Sequence, residues 1–333
     1  MRKLFLPLLL LILVGCTPKF YGVGAPVNQA QLGSNTFLTE DGAHLPLRHW
    51  QSKTPPRAII VALHGFNDYS RFFDQAGQFF SNQGVACFAY DQRGFGAAPK
   101  RGQWAGSDAY INDLKAFVRL LKDRHPELPI YLVGESMGGA VILSSLAQSP
   151  MLEISGVILA APALWARSTM PWYQTALLWT LAHTAPWLTL TGESVKILPS
   201  DNIPMLQAMY KDPWVIKGTR VEAIYGLSDL MDQAFASSSF LHGKVLMLYG
   251  EKDQVIPKQP TYAFLQQLFQ SGSDNTVAFY PQGYHMLLRD LQAQTVWQDI
   301  KVWIDTRQHH LPSGAEQRAK QVLTEAVSGV SVK

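Results

Sequence analysis

The stretch from Ile130 to Ala140 constrains the fold more than any other part of this chain. Its first half is an uncharged run of apolar and β-branched residues, which is typical of a strand buried on both faces of a parallel sheet. Gly134-Glu-Ser136-Met-Gly138 follows, with a glycine two positions before the serine and another two positions after it. This spacing permits a sharp strand-to-helix turn, because side chains at the glycine positions would collide. The pattern predicts an exposed hydroxyl at a helix N-terminus, where backbone N–H groups can stabilise an oxyanion, although close strand-to-helix packing would also explain the glycines.

Strands and helices alternate on both sides of this stretch. The apolar patterns predict strands at 58–63, 85–90, 130–133, 156–160, 244–250 and 276–280, and helices at 69–83, 107–124, 260–269 and 288–306. Such alternation indicates a parallel sheet with helices on both faces. An antiparallel hairpin of residues 37–39 and 44–50, joined through Asp41-Gly42, is expected at the edge of that sheet.

The alternation stops between Trp165 and Leu241. An insertion of this size between two strands of one sheet predicts a helical lid over the carboxyl ends of the strands, where ligands bind in open α/β sheets. The segment is rich in large aromatic residues, namely Trp165, Trp172, Tyr173, Trp179, Trp187 and Trp214. These side chains would either contact an acyl chain or another apolar group, or attach the lid to the sheet.

A reactive serine needs an imidazole to accept its proton and a carboxylate to orient that imidazole. The best candidates lie in loops that directly follow predicted buried strands. Asp253 comes just after the strand at 244–250, and His285 follows the strand at 276–280. We therefore predict that Ser136, Asp253 and His285 converge at one rim of the sheet. Glu251 remains an alternative to Asp253.

The other histidines and the lid carboxylates are weaker candidates. His64 follows a strand, but it directly precedes the turn that should supply an oxyanion donor, so we interpret it as a structural residue of that turn. The rest lie in the edge hairpin, at a helix end, in or beside the lid, or near the C-terminus: His44, His49, His125, His183, His242, His309 and His310. Asp229 and Asp232 are interpreted as solvated or capping residues of the lid.

Several motifs together resemble the monoacylglycerol lipase and lysophospholipase branch of the α/β-hydrolases, which is also the serine aminopeptidase-like branch. They are His64-Gly65-Phe66, Asp91-Gln-Arg93-Gly94-Phe-Gly96, Gly134-Glu-Ser136-Met137-Gly138-Gly139, Met209-Tyr-Lys-Asp212-Pro213, Gly250-Glu-Lys-Asp253-Gln-Val-Ile-Pro257 and Tyr284-His285. The resemblance extends over about Thr36 to Thr306 and implies an α/β-hydrolase fold, with a mostly parallel central sheet and a lid inserted between strands.

The resemblance also implies roles for individual residues. Ser136 would be the nucleophile, His285 the base and Asp253 its orienting acid, in the chain order that this fold uses. The backbone N–H groups of Phe66 and Met137 would form the oxyanion hole. Two positions outside this set depart from the family pattern and leave the substrate preference open. Glu135 stands where histidine is commoner, and Phe95 replaces the usual histidine of Gly-His-Gly.

The implied activity is that of a serine ester hydrolase acting on acyl esters such as monoacylglycerol or lysophospholipid, without a metal or an organic cofactor. Acyl transfer or peptide hydrolysis through the same triad remains an alternative, as does a non-catalytic, lipid-binding envelope lipoprotein. An epoxide hydrolase or a dehalogenase requires a carboxylate at the position of Ser136 and is disfavoured.

The N-terminus has the pattern of a targeting segment. Met1-Arg2-Lys3 is basic, and the apolar run from Leu4 to Val14 is too short to span a bilayer as a helix, which favours a secretion signal over a signal anchor. Leu13-Val14-Gly15-Cys16 resembles a bacterial lipobox, which implies cleavage before Cys16 and attachment of lipid to its thiol. The protein is then expected in the cell envelope, anchored to the outer membrane or to the periplasmic face of the inner membrane.

These patterns divide the chain into six parts. We expect a signal peptide at 1–15, a lipid-anchored tether at 16–33, the hydrolase core at 34–164 and 242–311, the lid at 165–241, and a loose or peripheral helical tail at 312–333. Without Arg2 and Lys3 the formal net charge falls from +3 to +1, and no Lys/Arg cluster stands out, so nucleic acid is not an expected partner. Cys87 lies in a buried-strand pattern and is predicted to be an inert core residue.

Overall fold

The computed structural model describes residues 18–148, 154–192, 196–241, 244–270, 275–306 and 310–327. The predicted signal segment, Cys16, His242 and His309 lie outside these ranges. The strands are β1 (Gln31–Leu32), β2 (Thr36–Leu38), β3 (His44–Trp50), β4 (Ala58–Leu63), β5 (Val85–Tyr90), β6 (Ile130–Glu135), β7 (Gly156–Ala160), β8 (Thr189–Thr191), β9 (Gly218–Arg220), β10 (Val245–Gly250) and β11 (Asn275–Tyr280). The helices are α1 (Asp74–Asn82), α2 (Ser107–Arg124), α3 (Met137–Gln148), α4 (Trp172–Thr184), α5 (Ile203–Lys211), α6 (Val221–Ala236), α7 (Lys258–Gln270), α8 (Ala293–Thr306) and α9 (Ala315–Val327). No helix within the described ranges is long and apolar enough to cross a bilayer.

Nine of the strands form one central sheet in the order β1-β2-β3-β5-β4-β6-β7-β10-β11. The pairs from β5 to β11 are parallel, and the edge hairpin joins the sheet through antiparallel pairing of β3 with β5. Every residue of β4, β6, β7 and β10 is buried, as their continuous apolar patterns require. The mostly parallel sheet and its antiparallel edge hairpin confirm the predicted fold class.

The two faces of the sheet bury separate hydrophobic layers. Alternate residues of β4 supply the two layers: Ile59, Val61 and Leu63 face the helices α2 and α3, whereas Ala58, Ile60 and Ala62 face α1 and α8. Cys87 belongs to the second layer and is fully buried. Burial raises the pKa of its thiol well above the ordinary value, so the group stays protonated.

The insertion between β7 and β10 contains α4, α5 and α6. It also contains a short antiparallel two-stranded sheet of β8 and β9, which the sequence pattern did not predict. The insertion contacts loops that follow strands of the sheet. The N–H of Ile216 donates to the carbonyl of Asn67 (2.9 Å), and the N–H of Met286 donates to the carbonyl of Pro199 (3.0 Å). The lid therefore lies over the carboxyl ends of the strands, as predicted.

The segments before and after the sheet pack on the domain more closely than the sequence indicated. Phe20 and Tyr21 pack against the core, and Gln31–Leu32 adds β1 to the sheet, so much of the expected tether lies on the domain surface. At the other end, α9 packs beside β11, with Ala319 and Val322 buried. The C-terminal helix is thus peripheral but not loose, because its apolar face is covered by the sheet.

Candidate active site

Ser136 occupies the sharp turn between β6 and α3. Its φ angle is +53°, a left-handed conformation that is costly for a residue with a side chain. A Cβ atom at Gly134 would lie 2.5 Å from the N atom of Gly139, and one at Gly138 would overlap the carbonyl oxygen of Leu63. Both positions therefore require glycine, for the steric reason that the sequence spacing implied.

The turn places Ser136 at the start of α3. The carbonyl of Ser136 accepts a hydrogen bond from the N–H of Ala140 (3.1 Å), so the helix begins immediately after the serine. Met137 is the first residue of that helix, and N–H groups of a first helical turn have no partner within their own helix. The N–H of Met137 is therefore one of the groups that need a partner from outside α3, as an oxyanion donor does.

His285 and Asp253 form a buried hydrogen-bonded pair. Nδ1 of His285 lies 2.9 Å from Oδ2 of Asp253. The other carboxylate oxygen, Oδ1, accepts from the N–H groups of Val255 (2.7 Å) and Ile256 (3.0 Å), which fixes the carboxylate within its own loop. Burial lowers the pKa of His285, but the charge and hydrogen bond of Asp253 offset this effect, and the net pKa lies above its ordinary value.

One cavity of about 190 Å³ brings several of the predicted residues together. Ser136, His285 and Phe66 all line it, and Phe66 lies in the loop that follows β4. Asp253 stands behind His285, and Met137 follows Ser136 in the chain. Met209 and Val215 of the lid also line this cavity with apolar side chains.

The rival residues have other partners. Glu251 accepts two hydrogen bonds from Arg318 of α9 (2.7 and 2.9 Å). Nε2 of His64 accepts from the N–H of Gln92 (2.9 Å), and its Nδ1 lies 2.8 Å from the carbonyl oxygen of Gly65. Burial lowers the pKa of His64, so the ring is neutral and braces the turn. Asp229 and Asp232, which we expected to be solvated or capping, both pair with Arg167.

An ion cluster beside the nucleophile was not predicted from the sequence. Nη1 of Arg289 lies 2.7 Å from Oδ2 of Asp68, and Nη2 lies 2.6 Å from Oε1 of Glu135. In the sequence, Glu135 stands out only as a departure from the family pattern. The sequence does contain two opposite charges near the predicted site that could have suggested an ion pair: Arg289, four residues after the predicted base, and Glu135, directly before the predicted nucleophile.

The aromatic residues of the lid do not line the catalytic cavity. Trp172, Tyr173, Trp179 and Trp187 are 79%, 57%, 49% and 59% exposed, so they neither surround an acyl chain there nor attach the lid to the sheet. Trp214 is 45% exposed and lines a separate depression beside β3. Only Trp165 packs against the core. Of the roles expected for these residues, packing against the core is seen for Trp165, and contact with an acyl chain or another apolar group stays a prediction for the exposed ones.

No group of three or more His, Cys, Asp or Glu residues in the described ranges is arranged to hold a metal ion. A mostly parallel sheet, a serine on a strand-to-helix turn and a lid over the carboxyl ends of the strands define an α/β-hydrolase, and the protein is a serine hydrolase.

The chain belongs to the serine aminopeptidase S33 family of hydrolases, which matches residues 54–292. It is 26% identical to the monoacylglycerol lipase of Mycolicibacterium smegmatis over 276 residues, covering 81% of this chain and 96% of that protein. It is also 26% identical to the human monoglyceride lipase, over 81% of this chain and 90% of the relative.

Solved structures of similar fold include two enzymes named as lipases of monoglycerides. A soluble variant of the Saccharomyces cerevisiae monoglyceride lipase, in complex with a substrate analogue, superposes with a TM-score of 0.68 at 21% identity, covering 87% of this chain and 98% of that one. The monoacylglycerol lipase of Paleococcus ferrophilus gives a TM-score of 0.66 at 22% identity, covering 79% and 99%. These likenesses establish the shared fold.

Proposed function

We propose that this protein hydrolyses acyl esters of the monoacylglycerol or lysophospholipid type through Ser136, His285 and Asp253. The observation that carries the proposal is the 2.9 Å hydrogen bond between His285 and Asp253 beside the cavity that both His285 and Ser136 line. A serine, an oriented imidazole and a buried carboxylate are the groups that acyl transfer requires.

In the acylation step, Oγ of Ser136 attacks the ester carbonyl while Nε2 of His285 accepts the hydroxyl proton. The hydrogen bond from Nδ1 of His285 to Asp253 holds the tautomer that leaves Nε2 free to accept. The N–H groups of Phe66 and Met137 donate to the tetrahedral oxyanion, and each such donor typically contributes about 3–4 kcal/mol in the transition state. His285 then returns the proton to the departing alcohol.

In the deacylation step, His285 removes a proton from water, which attacks the carbonyl carbon of the acyl-enzyme. The tetrahedral intermediate collapses, the carboxylic acid leaves, and the proton returns to Ser136. Because His285 carries positive charge in both transition states, the Asp253 carboxylate stabilises both of them.

Two observations support an apolar acyl ester as the substrate. Most of the chain is similar to proteins named as monoacylglycerol or monoglyceride lipases. The cavity at Ser136 has apolar walls from Phe66, Met209, Val215 and Met286, which suit a hydrocarbon chain. The description of the family as a serine aminopeptidase keeps peptide hydrolysis as the second candidate.

We also propose that the protein is anchored in the cell envelope by lipid on Cys16. The exposed surface of the lid supports a position at a membrane. The chain from Ser168 to Gly192 has no Asp, Glu, Lys or Arg, and Trp172 and Trp187 are largely exposed there. Exposed aromatic side chains on an uncharged surface favour contact with a lipid interface.

Labelling with a fluorophosphonate probe tests the catalytic assignment. We expect wild type to be labelled and Ser136→Ala and His285→Ala to remain unlabelled while folded. Labelling of Ser136→Ala would place the nucleophile elsewhere.

A panel of p-nitrophenyl esters tests the substrate class. It should show turnover of medium and long acyl chains, and turnover of the acetate alone would contradict the apolar substrate. Peptidyl anilides, and product analysis with added glycerol, separate ester hydrolysis from peptidase and acyl-transfer activity.

Incorporation of a labelled fatty acid tests the anchor. Wild type expressed in a bacterium should incorporate the label, whereas Cys16→Ser should not. Equal labelling of the two proteins would overturn the assignment of Cys16.

A further inference from the structure

Three chain segments that carry the proposed reaction meet at one guanidinium group. Asp68 lies two residues after Phe66 in the loop that follows β4, Glu135 directly precedes Ser136, and Arg289 lies four residues after His285. Arg289 reaches the other two with separate nitrogens, Nη1 to Asp68 (2.7 Å) and Nη2 to Glu135 (2.6 Å). A single side chain thus connects the nucleophile, the oxyanion donor and the base.

The cluster is buried beside the catalytic cavity. Asp68 is 5%, Glu135 2% and Arg289 8% exposed, and all three line the cavity that contains Ser136 and His285. The contact to Glu135 is a hydrogen bond, which the planar guanidinium constrains in distance and direction, whereas the contact to Asp68 is a close ion pair. Lysine, with its charge at one flexible point, cannot impose the same geometry.

Stability alone gives a poor explanation for such a cluster. Burial of three charges is expensive, and well-packed apolar residues of similar volume are often as stable or more stable. Positioning of the reacting groups is a better explanation for the cluster, because a displacement of about 1 Å at a reacting centre can lower a rate about 100-fold. The cluster also gives Glu135, which departs from the family pattern, a charged partner in Arg289.

We propose that Arg289 is a positioning residue. Through Asp68 and Glu135, it fixes the positions of the loop that carries Phe66 and the turn that carries Ser136 relative to His285. This inference rests on the proposed function. Failure of the inference can be distinguished from failure of the proposed function. Absence of labelling at Ser136 in the wild type would overturn the function, whereas unchanged kinetics of the Arg289 variants would overturn only the inference.

The first experiment compares Arg289→Met and Arg289→Lys with Arg93→Met. Arg93 is a matched control, because it is also buried between two carboxylates, at 2.7 Å from Asp41 and 2.6 Å from Asp113. Arg289→Met should lower kcat about 100-fold with KM changed less than about threefold, and Arg289→Lys should recover part of the loss. Arg93→Met should lose comparable stability but keep kcat within about threefold. The inference fails if Arg289→Met keeps kcat, or if Arg93→Met loses as much.

A second variant keeps the inference testable if Arg289→Met does not fold. Glu135→Gln retains the acceptor oxygen for Arg289 but removes the charge. Besides burial, the groups that act on His285 are Asp253 and Glu135, which raise its pKa, and Arg289, which lowers it. Glu135→Gln should therefore shift the acid limb of the pH profile of kcat/KM to lower pH. It should also lower kcat about tenfold, because the contact between Arg289 and residue 135 becomes weaker. A profile and a kcat equal to those of wild type would overturn the inference.

Combining the two variants tests whether Arg289 and Glu135 act together or independently. If Arg289 acts through Glu135, the double variant Glu135→Gln/Arg289→Met should lose much less kcat than the product of the two single losses. Multiplicative losses of kcat would mean that the two residues act independently, which contradicts the proposal that Arg289 acts through Glu135.

Discussion

Nδ1 of His285 lies 2.9 Å from Oδ2 of Asp253, whereas Glu251, two residues earlier in the same loop, is bound to Arg318. The two carboxylates therefore serve different elements. Asp253 orients the imidazole at the cavity, and Glu251 fastens the C-terminal helix α9 to the end of β10. Of the two acids that the sequence left open, these contacts support Asp253 as the proposed partner of His285.

This geometry predicts opposite outcomes for two conservative substitutions. Asp253→Asn should lower kcat/KM by about 10³–10⁴-fold, because a neutral amide neither holds the required tautomer nor stabilises the imidazolium. Glu251→Gln should remain within about threefold of wild type, since its partner Arg318 lies away from the cavity and is partly exposed. Steady-state kinetics on a p-nitrophenyl ester measures both, and a larger loss in Glu251→Gln would reverse the assignment.

The turn at Ser136 predicts a steric penalty at Gly138. Gly138→Ala would place a methyl group well inside van der Waals contact with the carbonyl oxygen of Leu63, within a buried part of the sheet. We expect a loss of about 1–3 kcal/mol in the free energy of unfolding, with loss of labelling at Ser136 because the turn must shift. Gly192→Ala is the matched control, because a methyl group there would lie within 4 Å of no described residue apart from the chain neighbours of Gly192. Urea unfolding curves that are equal for the two variants would contradict the prediction.

Much of the fold was predictable because buried parallel strands have a strong local signal. The strands at 58–63 and 85–90 and the helix at 107–124 agree with the structure to the residue. By contrast, the helix expected from 288 begins at Ala293. Residues just before it are held in turns by the lid, where Asn202 donates to the carbonyl of Arg289 (2.9 Å). Such tertiary contacts leave no periodic pattern, and the short strands β1, β8 and β9 are too brief to show one.

The candidate site divides in the same way. Ser136, Asp253 and His285 could be selected because each lies in the turn or loop that follows a recognisable strand, so the topology brings them to one rim. The Arg289 cluster was not selected, because an acid and an arginine at strand ends or in the loops after them carry no signal that pairs them across three segments. Outward-facing Trp172 and Trp187 show a further limit, since an apolar pattern does not indicate which surface a lid helix presents.

Asp290 makes the contact between the lid and the His285 loop sensitive to pH. Its oxygens accept from Oγ of Ser200 (2.6 Å) and from the N–H of Tyr284 (2.8 Å). Burial raises the pKa of Asp290 to about 6, against an ordinary value near 3.9. Between these values the folded state binds more protons than the unfolded state, so the contribution of this group to stability falls as pH rises from about 4 to about 6.

Asp290→Asn should remove that pH dependence. The amide can still accept from the N–H of Tyr284 and can donate to Ser200, so the loop contact is kept without the buried charge. Relative to wild type, the variant should gain about 2 kcal/mol in the free energy of unfolding between pH 4 and pH 7. Urea titrations of both proteins at the two pH values measure the difference, and an equal difference at both would show that Asp290 does not titrate in this range.

The exposed lid surface predicts a substrate-dependent effect of Trp172. Because this side chain is 79% exposed and does not line the catalytic cavity, Trp172→Ser should leave the hydrolysis of water-soluble p-nitrophenyl butyrate unchanged. Hydrolysis of monoacylglycerol in phospholipid vesicles should fall about tenfold, since loss of one interfacial indole costs about 1–2 kcal/mol of lipid contact. Val27→Ser removes an apolar side chain that is 73% exposed on the N-terminal segment and should change neither rate. If Trp172→Ser lowers both rates equally, the lid residue acts on catalysis itself, and the lid is not the surface that meets the lipid.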